Sequence, residues 1–574
     1  MKTKSTLLIT ALLAFSSQSC DKFLEEKLIS DVAASSYYTT PAGLEDAVDA
    51  AYSFLREIHS QERAYTLSIF GTDTYTNGAD GGHKSFNFYD NGLNESSSQV
   101  REMWNFLYQG INQANAVLNR SQNIEMDETL KTTRQAEARF LRAYYYFMLV
   151  QTWGNVHLTL EETIGAEVEA NKTPEAEIYS QAIVPDLQFA IANLPDQQSD
   201  YGRATKPAAQ FLLAKALTTR GYKPFAEGSD FSTAEGLFGN VINDYNFALM
   251  DSYDQLWDMD NAVNSEVIWS VQYSTDIILN GGTTGVGNRG HLYFLMEYDI
   301  LPGMIRDIEN GRPFKRFRPT DYLLDLWGAD RDNDSRYDMS YKHAWISNNP
   351  LNIPEWTAEN VAAGAVNADG SPAVAGEKKF TVGDTAIYIP GPGKEAIWTP
   401  TKKLQTRYRV YTRNEFSERV FANTGKFIDN RRPAIQWERG SRDWVVARLA
   451  DAYLLRAEVR FKQGKMDDAA DDINMVRVRA AWPGKEADMM ITAGDVDMDL
   501  ILEERAKELD AEQNRWYDLA RTGTLIDRVR LYNPQGAGGI QDHHIHRPIP
   551  LEQIDRTLGG YEQNCGYPGG PNCN

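Results

Sequence analysis

The chain has 574 residues, of which 42% are hydrophobic and 11% aromatic, a composition typical of a folded globular protein and incompatible with wholesale disorder. Its formal net charge of −22 argues against nucleic acid as a partner, because an acidic surface repels phosphate backbones. No Ser/Pro-rich linker or low-complexity tract divides the sequence, so we expect its regions to pack as one globular unit.

The N-terminus has the pattern of an export signal. Two lysines precede an apolar run at residues 7–15, which is too short to span a bilayer but suits a signal peptide. Cys20 follows, at the position of the acylated cysteine of bacterial lipoproteins, although Ser17 stands where Leu is usual and ordinary cleavage would also fit. We predict residues 1–19 as the signal peptide and Cys20 as the lipid anchor of a protein that does not cross the membrane.

Helical periodicity dominates residues 20–245. The central segment, residues 134–158, is apolar almost all round the helix, which predicts burial against neighbours on several sides. Gly154 can close its last turn with positive φ. Further helices are predicted at residues 44–57, 100–120, 178–194, 206–220 and 231–243.

The middle of the chain, residues 246–440, has a different pattern. Residues 267–273 favour a strand, and residues 280–440 are rich in Gly, Pro, Asn and aromatic residues with little periodicity. A long irregular region inside a helical protein usually has a function, such as ligand binding. We therefore predict that this middle region binds a ligand.

Helical periodicity returns in residues 441–574. Residues 444–463 and 466–480, separated by a turn at Gly464, predict a helix–turn–helix with small residues at the crossing, as in tetratricopeptide units. Residues 500–521 predict another helix.

Two cysteines lie near the C-terminus, Cys565 and Cys573, with a Gly/Pro-rich segment between them. Because an exported protein meets oxidising surroundings, we predict a disulfide, with two free thiols as the alternative.

Four stretches of the sequence together resemble the SusD/RagB family of nutrient-binding outer-membrane lipoproteins of Bacteroidetes. They are CDKFLEE from Cys20, EARFLRAYYYFMLVQTWGNVHL from Glu137, ILEERAKELDAEQNRWYDLARTG from Ile501, and HRPIPLEQIDRTLGGYEQNCGY from His546. Trp153 and Cys565 depart from the usual pattern. The resemblance implies a mainly α-helical, tetratricopeptide-like fold with a loop-rich, partly β ligand-binding insertion. It also implies a surface-exposed lipoprotein that caps a SusC-like TonB-dependent transporter.

Two loops carry the residue types that bind sugars. Aromatic rings cover the C–H faces of a sugar, while amide and carboxylate groups hydrogen-bond its hydroxyls. Taken singly, each ring also fits a packing role. The predicted ligand-binding residues are Asp73, Tyr75, Asn77, Phe86 and Tyr89 in the first loop, and Tyr293, Phe294 and Tyr298 in the second.

A short acidic segment resembles the first part of a calcium loop. It lacks the turn glycine, which is Ser335 here, and the bidentate glutamate, which is Tyr341. A solvated acidic turn is the alternative. The candidate calcium ligands are Asp330, Asp332, Asp334, the carbonyl of Arg336, and Asp338.

These observations predict a non-catalytic surface lipoprotein that binds oligosaccharides and delivers them to a SusC-like transporter, with no cofactor other than the calcium that the acidic segment would bind. Three alternatives stay open: a peptide-binding member of the same family, a surface glycoside hydrolase, and a helical-repeat scaffold that binds only proteins.

Overall fold

The computed structural model describes residues 37, 39–276, 278–279 and 286–573. The predicted signal peptide and Cys20 lie outside the described residues. The N-terminal region is helical apart from strand β1. Its elements are α1 Pro41–Ile58, α2 Glu62–Ser68, β1 Tyr75–Asn77, α3 Ser85–Phe88, α4 Ser98–Ser121, α5 Glu128–Trp153, α6 Glu175–Ile178, a π turn Tyr179–Ile183, α7 Val184–Asn193, α8 Lys206–Arg220 and α9 Asp230–Asn243.

Short elements joined by long loops form the middle region. They are β2 Val267–Val271, α10 Gly290–Tyr293, β3 Phe317–Pro319, α11 Asp321–Ala329, α12 Arg336–Ser340, β4 Ala344–Ile346, α13 Ala358–Ala362, β5 Thr385–Tyr388, α14 Pro400–Gln405 and β6 Arg409–Val410.

The C-terminal region returns to helices after one strand. Its elements are β7 Trp444–Arg448, α15 Leu449–Lys462, α16 Met466–Ala480, α17 Glu486–Met489, α18 Met498–Glu508, α19 Arg515–Arg521, α20 Leu525–Tyr532 and α21 Leu551–Arg556.

The central helix α5 is buried as the sequence predicts. Asp127 caps its first turn by accepting a hydrogen bond from the Leu130 amide, and Gly154 ends the helix with φ 74°. Against α4, the ring of Tyr145 lies so close to Gly110 that a Cβ there would be 2.5 Å from a ring carbon. The absence of a side chain at Gly110 therefore permits this helix crossing.

Pairs of neighbouring helices pack side by side along the scaffold, among them α8 with α9 and α15 with α16. Gly464 provides the turn between α15 and α16 with φ 76°. One hydrophobic core extends from Ala51 to Tyr567 and includes residues of all three regions. The region boundaries at 245/246 and 440/441 stay predictions.

Two predicted helices differ from the structure. Trp444–Arg448 is a strand that pairs antiparallel with β2, so the helix begins only at Leu449. The β-branched pair Val445 and Val446 favours this extended backbone. The helix expected at residues 500–521 is broken after Glu508, because Ala511 and Gln513 adopt positive φ angles of 62° and 64°.

Three small sheets join distant parts of the chain. Strand β1 pairs antiparallel with β3, so that Tyr75 lies opposite Pro319. Strands β4, β5 and β6 form the third sheet, in which β5 pairs antiparallel with β4 and parallel with β6. Tyr388, at the end of β5, belongs to this third sheet.

Candidate ligand-binding site

All eight residues predicted to bind the ligand lie in the interior. Their side chains are between 0% and 4% exposed, so the expectation that they line an open loop surface is wrong. The tyrosine hydroxyls are satisfied internally in three cases: Tyr75 donates to Asp510, Tyr89 to the Gly71 carbonyl and Tyr298 to the Gly311 carbonyl. These three rings are therefore part of the packed structure.

Tyr293 and Phe294 belong to an aromatic cluster around Tyr65. The ring centroids of Tyr293 and Phe294 lie 5.5 and 5.2 Å from that of Tyr65, both edge-on. Such edge-to-face pairs stabilise a core beyond simple area burial. The loop sequence is irregular, but its large rings fill the space between α2 and β3.

The candidate calcium segment is an ion-pair network. Asp334 accepts hydrogen bonds from the Arg336 guanidinium at 3.0 and 2.7 Å, and Asp338 pairs with Arg331. Asp332 pairs with Lys394.

Asp330 lies 3.3 Å from Arg477, and the Arg336 carbonyl accepts a hydrogen bond from Ser340. No group of three or more His, Cys, Asp or Glu in the described ranges is arranged to hold a metal ion. The calcium prediction is therefore corrected, since basic side chains occupy the positions a cation would take.

Three half-buried rings in the middle region contact one another: Tyr388, Trp398 and Tyr408, here called the aromatic arc. The Trp398 and Tyr408 centroids lie 5.6 and 5.9 Å from that of Tyr388, and 6.3 Å from each other. Their planes are inclined to one another by 53° to 67°, so the rings meet at steep angles and do not stack. Each ring keeps part of its surface open to solvent.

The third sheet and α14 position the arc. Tyr388 ends β5 and lies opposite Ala344 of β4 and Val410 of β6. Tyr408 immediately precedes β6, so parallel pairing brings it beside Tyr388. Trp398 precedes Thr399, which caps α14 by accepting a hydrogen bond from the Lys402 amide.

The polar tips of the arc are free to bind a ligand. Within the residues that the structure describes, the Tyr388 hydroxyl, the Trp398 Nε1–H and the Tyr408 hydroxyl have no hydrogen-bond partner in the protein. Burial, with a contribution from Tyr388, raises the pKa of Tyr408, so its hydroxyl stays protonated near neutral pH. The arc thus combines partly exposed rings with donors that no described protein group uses.

Charged groups stand beside the rings. Arg409, whose side chain is 47% exposed, pairs with Glu415 and lies over Tyr411. By contrast, Trp356 in the same region is a core residue: it is 2% exposed and its Nε1–H donates to Asn367. Trp398 differs from Trp356 because it is only half-buried and its Nε1–H has no partner among the described residues.

At the C-terminus, a disulfide joins Cys565 and Cys573, whose Cα atoms lie 5.0 Å apart. It closes a short loop beyond α21. In the part of the chain that is described, we find no helix with the length and apolar character needed to cross a membrane.

The fold and the arc define a class: helical-repeat proteins that carry a loop-rich excursion with an aromatic surface. Residues 254–567, more than half of the chain, match the model of the SusD family. Residues 22–218 match a second model, described as starch-binding associating with outer membrane. The chain belongs to the SusD family.

Similar proteins cover nearly the whole chain. SusD-like protein P25 of Formosa agariphila is 24% identical over 588 residues, covering 97% of this chain and 99% of the relative. Starch-binding protein SusD of Bacteroides thetaiotaomicron is 24% identical over 493 residues, covering 82% and 80%. The solved structure of a laminarin binding SusD-like protein superposes with a TM-score of 0.64 at 23% identity, covering 92% and 100%. The structural match confirms the SusD-like helical fold.

The candidate site lies in the middle region that the sequence predicts to bind a ligand, a prediction that stays untested, and none of its three rings is among the eight residues predicted from the sequence. Tyr388 and Tyr408 carry no motif of their own. Their sequence context could have indicated exposure. Trp398 and Tyr408 flank the polar stretch TPTKKLQTR, which offers few apolar side chains to bury them.

Proposed function

We propose that this protein is a surface-exposed, lipid-anchored glycan-binding protein that delivers oligosaccharides to a SusC-like TonB-dependent transporter. The aromatic arc is the observation that carries this proposal. Its half-exposed rings can pack against the C–H faces of a sugar. Its unpartnered N–H and hydroxyl groups can hydrogen-bond the hydroxyls of the sugar. Relatives named as starch-binding and laminarin binding support the ligand class.

The arc favours weak binding. Hydroxyls of a free sugar are already hydrogen-bonded to water, so polar contacts add little net affinity. Burial of sugar faces contributes about 25 cal/mol per Å² of apolar area, part of which is offset by the cost of association. We expect dissociation constants from about micromolar to about millimolar, which suits a protein that passes its ligand on.

A panel of immobilised oligosaccharides and peptides tests the ligand class. We expect the purified protein to bind oligosaccharides and leave them intact. Binding to peptides alone would replace the proposal by the peptide-binding alternative. Release of new reducing ends by the wild-type protein would replace it by the hydrolase alternative.

The lipid anchor has its own test. Cys20→Ser is expected to move the protein from the membrane fraction to the soluble fraction, because acyl chains contribute about 0.8 kcal/mol per buried methylene. Cys573→Ser is the control, since it also replaces a cysteine by serine, here one that forms the C-terminal disulfide, without touching the anchor. Equal membrane retention of both variants would contradict acylation at Cys20.

Delivery requires a partner in the membrane. We expect purification from native outer membranes in mild detergent to recover a TonB-dependent barrel together with this protein. Recovery of this protein alone after chemical cross-linking in intact cells would contradict the partnership.

A further inference from the structure

A second surface feature surrounds the half-buried ring of Phe314. Three guanidinium groups surround this ring: the Cζ atoms of Arg312 and Arg316 lie 5.1 Å from its centroid, and that of Arg289 lies at 5.9 Å. All three arginine side chains remain partly exposed, by 19% to 31%. We call this group the arginine cluster.

The backbone beneath the cluster is fixed. The amides of Phe314 and Arg316 donate to the carbonyls of Leu292 and Tyr293, at 2.9 and 2.8 Å, and the Arg289 amide donates to Ser60 at 3.1 Å. The three side chains therefore converge from two segments that are hydrogen-bonded to each other. Such a preorganised arrangement lowers the entropic cost of binding a ligand.

Positive charge exceeds negative charge in the cluster. Glu438 is shared by Arg289 at 2.5 Å and Arg312 at 2.7 Å. Glu62 lies 2.8 Å from Arg316 and is also shared with His83. Two carboxylates thus face three guanidinium groups, in a chain whose overall charge is −22.

The neighbouring His291 adds no charge to this balance. Burial first, and then Arg432, lower the pKa of His291 to about 3, so the ring is neutral at neutral pH. Its Nε2 contacts the Glu438 carbonyl at 3.0 Å and helps to hold that loop against the cluster.

Several donors of the cluster are unused by the described residues. Arg312 directs only Nη1 to the protein, toward Glu438 and the Gln436 carbonyl, which leaves its Nε and Nη2 without partners. The Nε atoms of Arg289 and Arg316 also lack a hydrogen-bond partner, but both are buried, so the donors open to a ligand are those of Arg312.

We propose that the arginine cluster binds the anionic group, a carboxylate or a sulfate ester, of an acidic oligosaccharide. Guanidinium groups present paired N–H donors that match both oxyanions. Because charges are screened over about 8 Å at physiological salt, this local excess can bind an anion despite the acidic chain. The inference rests on the proposed glycan-binding function and specifies the charge of the glycan.

Titration calorimetry with three probes tests this proposal: an oligogalacturonate, a sulfated galactan oligosaccharide and a neutral maltooligosaccharide. We expect at least one anionic probe to bind the wild-type protein. The arm that responds identifies the carboxylate or the sulfate as the source. Affinity should fall as sodium chloride rises from about 50 to about 500 mM, because screening weakens ion pairing.

Three substitutions with different expected effects make the test specific. Arg312→Gln should weaken the anionic probe about tenfold, since a charge-assisted hydrogen bond is lost. Arg312→Lys keeps the charge and should recover part of that loss. Glu438→Gln removes a competing carboxylate and should tighten the anionic probe several-fold.

The outcomes separate this inference from the proposed function. Binding of the neutral probe without either anionic probe would overturn the arginine cluster as a subsite and leave glycan binding intact. Failure of all three probes would overturn the inference, and the oligosaccharide panel would then decide the proposed function separately. An equal loss of neutral and anionic binding in Arg312→Gln, or no gain in Glu438→Gln with an unchanged unfolding midpoint, would also overturn the inference.

Discussion

The carboxylate of Asp73 is held by Arg515, which donates to its two oxygens at 2.7 and 2.6 Å across 442 residues of sequence. Arg528 adds a further hydrogen bond at 2.8 Å. Burial disfavours the ionised carboxylate, but Arg515 and Arg528 outweigh it and lower the pKa of Asp73. The loop before β1 is thereby fastened to α19 and α20.

We predict that Asp73→Ala destabilises the protein by about 3–5 kcal/mol, because it leaves two buried guanidinium groups without their shared partner. Denaturant unfolding measures the change. Asp321→Ala, which removes an exposed carboxylate paired with Arg413, is the control and should change stability by about 1 kcal/mol or less. Equal effects of the two substitutions would contradict a structural role for Asp73.

Acid sensitivity is expected from Asp334. Burial opposes its ionisation, but Arg336 and Lys507 lower its pKa to about 2 from an ordinary value of 3.8. A carboxyl group with a depressed folded-state pKa stabilises the protein above its unfolded pKa, and that contribution is lost as pH falls through the folded pKa. The lowered pKa of Asp334 corresponds to a contribution of about 2 kcal/mol to the free energy of unfolding.

We therefore predict that the free energy of unfolding falls as pH is lowered from about 4 to about 2, and that Asp334→Asn reduces this dependence. Urea unfolding across this pH range is the measurement. The same pH dependence in wild type and variant would contradict the assignment.

Calcium should leave stability unchanged. The carboxylates of residues 330–338 are paired with basic side chains, so a bound cation would have to displace them. We expect the midpoint of thermal unfolding to be the same with millimolar calcium and with a chelator. A rise in the midpoint with calcium that Asp332→Asn abolishes would contradict the ion-pair description of this segment.

Periodicity predicted the helical scaffold because apolar residues recur at helical spacing in a buried helix, as they do in α5 before Gly154. The strand β7 was missed, since five residues that are apolar at most positions fit a strand and a helix equally well until a partner strand is known. That partner, β2, lies far back in the sequence.

The residues of the candidate site were harder to predict because loop sequences carry no period that separates exposed rings from buried ones. Tyr75 and Tyr408 both lie in polar, irregular stretches. Tyr75 is buried because β1 pairs with β3 and its hydroxyl donates a hydrogen bond to Asp510, and both contacts join distant segments. Exposure at such positions is decided by tertiary packing and becomes visible only in the structure.

The affinity of Trp398→Ala for an oligosaccharide shows whether the aromatic arc binds the glycan. Wild-type protein and variant are titrated by calorimetry with a neutral oligosaccharide that binds, and their thermal unfolding midpoints are compared. Tyr408→Phe, which keeps the ring, and Tyr201→Ala, an exposed tyrosine of the helical region, are the controls. We expect about tenfold weaker binding for Trp398→Ala and little change in affinity for Tyr201→Ala. The thermal unfolding midpoint of Trp398→Ala should be nearly that of the wild type. Full affinity in Trp398→Ala, with or without a loss of stability, would show that the aromatic arc is not the glycan site.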